Sequence, residues 1–338
     1  MHEIDMKKYK IRTDLVVDII NNSKKSFDGI EEYEENRIKV SSVILDEDNY
    51  LDKEPGKYIT IFFDDVTDMD NRCNLLKVFT DNLKKLLGDI KNKSFLIVGL
   101  GNSSSTPDSL GPKAINDILV TRYLFENDEV TVEEGFSNVS AIVPGVSGTT
   151  GIESSDIIKG IVDKTKPDFV IALDALASSS IDRINKTIQM TDTGIAPGSG
   201  VGNKRRELSL KTIGIPVIAI GIPTVIDGVT IVSDTINYMM KKFSYNKETI
   251  NKRSEKFVIN RNYKEHKNNL SSEEKEKMLG LIGTLSEDEI KKLIFEVLSP
   301  IDYNLMVTVK EIDFVILKLA SILAEGINNT LHQNYKKI

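Results

Sequence analysis

The run FLIVGL at 95–100 is apolar without a break. That is the pattern of a strand covered on both faces of a sheet. DFVIALD (168–174), TIQMTD (187–192) and IPVIAIG (215–221) repeat it. Two earlier segments, Val40–Leu45 and Tyr58–Phe63, also read as strands, separated by a polar stretch with the turn signal Pro55-Gly56. Val130–Glu133 and Ser140–Val143 are shorter strand candidates. Between these runs the apolar positions fall at helical spacing, which predicts helices over 74–87, 107–125, 153–164 and 229–243. The alternation predicts an α/β fold, a mostly parallel sheet with helices on both faces. Residues 1–36 are charged and lack a long periodic pattern. From about residue 244 the chain turns to Lys, Asn and Glu, and SEDEIKKLIFEVL and FVILKLASILAEGI predict amphipathic helices. We therefore expect a helical appendage over 244–338, packed on a core that ends near residue 243.

Composition narrows the function. A chain of 338 residues can bury a large core. Its net charge of −7, with no long basic stripe, argues against direct binding of nucleic acid. The N-terminus has no apolar signal segment. The most apolar window, from Ile213, is interrupted by Pro216, Pro223 and Asp227, so it reads as a strand and loop and not as a membrane span. Both features predict a cytoplasmic protein. Cys73 is the sole cysteine, which excludes an intramolecular disulfide and any Cys-x-x-Cys site. The histidines are His2, His266 and His332, with none between residues 3 and 265. Chemistry in that body has no imidazole base and no His-rich metal site, which argues against Ser-His-Asp and Cys-His mechanisms.

The strand 95–100 leads into Gly99-Leu100-Gly101, the opening of a dinucleotide fingerprint. The third glycine position holds Ser104, and no acidic residue closes a second strand about 20 residues on. No nucleotide cofactor is expected. Thr106-Pro107-Asp108 reads instead as a helix start, with Thr106 as N-cap and Pro107 at the first helical position. On that reading alone Asp108 favours the helix dipole by about 0.3–1 kcal/mol.

Asp174 alters the balance, because it closes an apolar strand where a carboxylate has little packing reason to be. Carboxyl ends of parallel strands are where α/β proteins build sites. If the two strands are neighbours, Asp108 and Asp174 share one crevice. At about 4 Å and an effective dielectric of ~20, two carboxylates repel by about 4 kcal/mol, so the pair holds one proton between them. One member can deprotonate water while the other donates to a carbonyl or leaving group, with no metal. Gly101 and Asn102 are candidates for substrate binding or oxyanion support. APGSGVGNKRREL (196–208) adds Lys204 and Arg205, either as cations capping a tight loop or as a wall of the site.

Several segments together resemble the spore germination protease family, endopeptidases of small acid-soluble spore proteins. They are IRTDLVVD (11–18), PGKYITI (55–61), VGLGNSSSTPDSLGP (98–112), LVTRYLF (119–125), the block from Val139 to Arg205, IPVIAIGIPTV (215–225) and SDTINYMMKKF (233–243). The resemblance implies a three-layer α/β sandwich similar to hydrogenase maturation endopeptidases, and an atypical aspartic peptidase with Asp108 and Asp174 as its acids. It implies a homotetramer in the cytoplasm of the spore core, with no cofactor and no membrane partner. It also implies a zymogen that sheds residues 1–14 by cutting between Asp14 and Leu15, since Thr13-Asp14-Leu15 imitates the family's substrate context. The peptidase core would then span 15–243. Ser103-Ser104-Ser105 departs from the family, which commonly has an aromatic residue there, and Ala196 stands where a His is frequent. Residues 244–338 carry little of the resemblance. Two other classes fit the paired carboxylates: a glycoside or nucleoside hydrolase or phosphorylase, and a non-catalytic binding protein whose aspartates only orient loops. The absence of Trp, and the few aromatics near these motifs, disfavour sugar chemistry.

Overall fold

The computed structural model describes residues 29–47, 53–198, 206–249, 263–266, 270–298 and 305–335. These form two compact units, one of 29–225 with 308–335 and a smaller one of 226–307.

In the larger unit, β1 (Ile30–Glu35) and β2 (Ile38–Leu45) are joined by Asn36 and Arg37, both left-handed (φ 50° and 64°). Such a two-residue turn matches strand twist and closes an antiparallel hairpin. Next come β3 (Gly56–Phe62), β4 (Ser94–Gly99), β5 (Asn138–Ile142), β6 (Phe169–Ser178), β7 (Thr187–Thr191) and β8 (Val217–Asp227). The spatial order is β1-β2-β3-β7-β8-β6-β4-β5. The expectation of a mostly parallel sheet is corrected here. β4 pairs parallel with β5 and β6, whereas β1–β2, β2–β3, β3–β7 and β7–β8 are antiparallel. An unbroken apolar run reports cover on both faces and says nothing of direction, so β7 and β8 look like parallel strands in sequence.

Two helical layers provide that cover. On one face, α1 (Met69–Leu87), α2 (Leu110–Ile115) and the C-terminal helix Ile312–Leu331 pack Phe79, Leu83, Leu110, Leu319 and Leu323 against Ile59, Ile97, Ile171 and Ile220. On the other, α3 (Ser154–Thr165) and α4 (Leu210–Ile213) set Ile158, Val162 and Ile213 on Leu96, Val98, Val170 and Val217. The architecture is a three-layer α/β sandwich.

The smaller unit starts with the last two residues of β8, Ile226 and Asp227, which pair with β9 (Met306–Val307). It holds α5 (Gly228–Thr249), α6 (Ser272–Leu279) and α7 (Glu287–Leu298), around a core of Met240, Leu270 and Ile290. The boundary between these two units falls near residue 226. The C-terminal helix, now α8, belongs to the larger unit. It is long and apolar enough to cross a membrane by composition, yet most of it is buried against α1 and α2.

Three local expectations also change. β1, with sequence IEEYEE, is an edge strand whose four glutamates hide the strand pattern and discourage further pairing. Val130–Glu133 forms no strand. The helix expected over 107–125 breaks after Ile115, because buried Asn328 of α8 offers its amide to the chain there. Asn328 Oδ1 accepts from Leu119 N and its Nδ2 donates to Asp117 O, both at 2.9 Å.

His332 ends α8 with its ring 5.4 Å from that of Phe136 and Nε2 3.2 Å from Leu119 O. Burial lowers its pKa below the ordinary 6.5, the Leu119 carbonyl opposing this only in part. The folded state therefore binds fewer protons than the unfolded chain below that value. Stability is complete above about pH 6.5, declines as the pH drops from there to the depressed folded value, and then levels off. Urea midpoints measured between about pH 7.5 and 5 should fall, and His332→Asn should flatten that slope; equal slopes would refute the assignment.

Candidate active site

β4 and β6 run side by side in parallel, with Gly99 opposite Leu173. β4 then ends, while β6 continues for five residues beyond Leu173. Leu100 N still reaches Leu173 O at 2.8 Å, so the departing chain stays fastened to β6 immediately before Asp174.

The chain after β4 folds back on itself through Gly101, whose φ of +110° suits glycine alone. A Cβ at Gly101 would lie 2.0 Å from Asp108 O. The Asp108 carboxylate accepts from Asn102 N at 2.9 Å, and Asn102 Oδ1 accepts from Ser104 N at 3.0 Å. Thr106–Asp108 form a single 3₁₀ turn with Pro107 in its first positions. The N-cap is Ser105 and not Thr106 as expected, and α2 starts only at Leu110. Gly101 and Asn102 thus hold Asp108 in place.

Asp174 is 5% exposed and accepts from its neighbour Ala175 N at 2.9 Å. Strand alternation puts it on the face of Ala172 and Leu176, opposite Leu173 and Ala175, which face α1, α2 and α8. The turn carrying Asp108 comes within 8 Å, Cα to Cα, of residues of β6. Both aspartates lie beside the carboxyl end of β4, Asp108 on the chain that leaves it and Asp174 within β6, which runs on to Ser178, so Asp174 does not close its strand as expected.

A third strand joins them. Thr224 near the end of β8, wholly buried, donates its hydroxyl to Pro107 O at 2.6 Å, and its own carbonyl accepts from Thr308 Oγ1 at 2.7 Å. Sequence reading passed over Thr224, since a threonine in a strand looks like a β-former and only its long-range partner reveals it. Lys204, Arg205, Asp14 and Leu15 lie outside the described residues. Among the described residues, no three His, Cys, Asp or Glu side chains gather in a way suited to a metal ion.

An α/β sandwich with acidic side chains gathered where one parallel strand ends beside its neighbour has the architecture of an enzyme with its site in that crevice. A family model described as germination protease matches residues 9–337. The chain belongs to the germination protease family and is a peptidase by class. The germination protease of Bacillus cereus (strain ATCC 10987 / NRS 248) is 47% identical over 350 aligned residues, covering 97% of this chain and 95% of that protein. That of Bacillus mycoides (strain KBAB4) is 46% identical with the same coverage. The match includes residues 244–337, where the sequence motifs carried little family signal. Among solved structures, a NiFe hydrogenase maturation protease from Thermococcus kodakarensis is 17% identical over 42% of this chain and 80% of that one, with a TM-score of 0.26.

Proposed function

We propose that the chain is an endopeptidase that begins the breakdown of small acid-soluble, DNA-protecting spore proteins during germination, with Asp108 and Asp174 as its acid–base pair. The observation that carries the reading is the buried carboxylate of Asp174, set beside the Asp108 turn at one strand edge of a germination protease fold. One carboxylate, ionised, takes a proton from water, whose oxygen bonds to the scissile carbonyl carbon. The other, protonated, donates to the carbonyl oxygen; as the C–N bond breaks, the first passes the proton it took from water to the departing amine, and the second recovers its own from the collapsing diol. No imidazole is required, in keeping with a body that has none between residues 3 and 265.

Thr13-Asp14-Leu15 supports synthesis as a zymogen that cuts between Asp14 and Leu15. We further propose a homotetramer in the cytoplasm of the spore core. Intact-mass analysis of the purified full-length chain, incubated alone and with a small acid-soluble spore protein, tests the reading. The expected products are a chain beginning at Leu15 and discrete fragments of the substrate, with nucleosides and glycosides left unchanged. An undiminished chain and an uncut spore protein would overturn it.

A further inference from the structure

Among the described residues the chain passes between the two units twice, at Val225–Ile226 and at Val307–Thr308. Links between units are ordinarily exposed and rich in Gly, Pro or polar residues. Here both are short apolar stretches of paired strand. Ile226 is opposite Val307 and Asp227 opposite Met306 in the β8–β9 ladder, and Gly228 N donates to Leu305 O at 2.8 Å. The ladder is fixed in turn to α5, because buried Asp227 accepts from Thr230 N at 2.8 Å and from the Thr230 hydroxyl at 2.7 Å. A connection built in this way transmits a displacement that a flexible linker would absorb.

In the larger unit both links arrive at the support of Asp108. Thr308 Oγ1 donates to Thr224 O at 2.7 Å, and Thr224 Oγ1 donates to Pro107 O at 2.6 Å. Thr224 is wholly buried, so water cannot replace the Thr308 hydroxyl once it is removed. The Thr224 side chain is β-branched and stiff about χ1, so its hydroxyl follows wherever its backbone is held. Pro107 O belongs to the same planar peptide unit as Asp108 N, so a shift of that oxygen tilts the residue that carries the carboxylate. Asp108 N itself donates to Ser105 O at 2.9 Å, and Asn102 N donates to the carboxylate. The C-terminal helix α8, which starts at Ile312, also comes within 8 Å of this turn, Cα to Cα.

Resting on the peptidase reading above, we propose that Thr308 is a positioning residue for Asp108, and that the smaller unit sets the alignment of the Asp108 turn through the paired strands that lead to Thr224 and Thr308. A displacement of α5 or of the β8–β9 ladder then changes turnover without any contact with substrate.

The test uses the full-length chain, with cleavage of a small acid-soluble spore protein and hydrogen exchange by mass spectrometry as its two readouts. Thr308→Val should lower kcat about fivefold with KM nearly unchanged, since a misplaced reacting group costs rate and not binding. Exchange over residues 101–109 should quicken about threefold or more, while β4 at 94–99 keeps its protection. Thr308→Ser, which retains the hydroxyl, should restore both readouts. Asp227→Ala, a change confined to the smaller unit, should move both in the same direction as Thr308→Val. Asp227→Asn, which keeps an acceptor for Thr230 N, takes its place if the alanine variant does not fold. Unchanged kcat or unchanged exchange in Thr308→Val, with Asp108→Asn inactive, overturns the positioning role, as does a loss that Thr308→Ser fails to recover. A response to Thr308→Val with none to either Asp227 variant overturns control by the smaller unit. Normal cleavage by Asp108→Asn would instead overturn the catalytic pair, so the two failures are distinguishable.

Discussion

Asp174→Asn and Asp108→Asn should each lower turnover by about 10²- to 10⁴-fold while the protein stays folded, the scale of losing a positioned acid or base. The fold is expected to survive because Asn keeps an oxygen able to accept the bonds that hold each group. Those come from Ala175 N to Asp174 and from Asn102 N to Asp108. The amide can neither take a proton from water nor give one to the leaving amine. Thr224→Val should have a smaller effect, about tenfold on kcat with little change in KM, because it frees Pro107 O and lets the Asp108 turn drift. Thr224→Ser, which keeps the hydroxyl, should recover most of the loss. Retention of residues 1–14 by intact mass, with an unchanged melting temperature, is the expected signature of the aspartate variants. Self-trimming at the normal rate in either would remove that residue from the mechanism.

Gly111→Ala should be strongly destabilising. α2 docks so closely on the junction of β4 and β6 that a Cβ at Gly111 would lie 2.4 Å from Leu100 O and 2.5 Å from Leu173 O. Both are backbone atoms, and Leu173 O accepts from Leu100 N, so neither can swing aside as a side-chain tip can. The overlap should cost about 3 kcal/mol even after the gain of up to about 1 kcal/mol from replacing a helical glycine. That corresponds to a fall in melting temperature of roughly 6–12 °C. Activity should fall with it, since the same junction positions both aspartates. Gly160→Ala provides the contrast. It lies exposed within α3 with nothing within 4 Å of its Cβ position, and it should be neutral or slightly stabilising. A Gly111→Ala protein that melts with the wild type would show that α2 tolerates a wider separation from the sheet.

Both aspartates are legible in the sequence, for different reasons. Asp174 is conspicuous as a charge after an apolar run, although β6 continues past it to Ser178, and Asp108 because Thr106-Pro107 announces a turn. The turn is an isolated 3₁₀ turn followed by the short α2, and the helix goes no further than Ile115 because Asn328 of α8 takes up the backbone of Asp117 and Leu119. That partner lies 209 residues away from Leu119, beyond the reach of any local pattern. β1 was missed for a related reason: four glutamates on an exposed edge erase the apolar alternation that marks a half-buried strand.

The amino-acid pattern alone determined which segments are strands and helices in the core, that residues 3–265 lack imidazole, and that a carboxylate comes directly after the apolar run of one strand and in the turn after another. Each of these depends on the burial or chemistry of residues a few positions apart, and side-chain periodicity records burial directly. Only the tertiary structure decided strand direction and the hold of Thr224 on the Asp108 turn. Those depend on which distant backbone groups find one another. A hydrogen bond between residues a hundred positions apart leaves no trace in the local order of polar and apolar side chains.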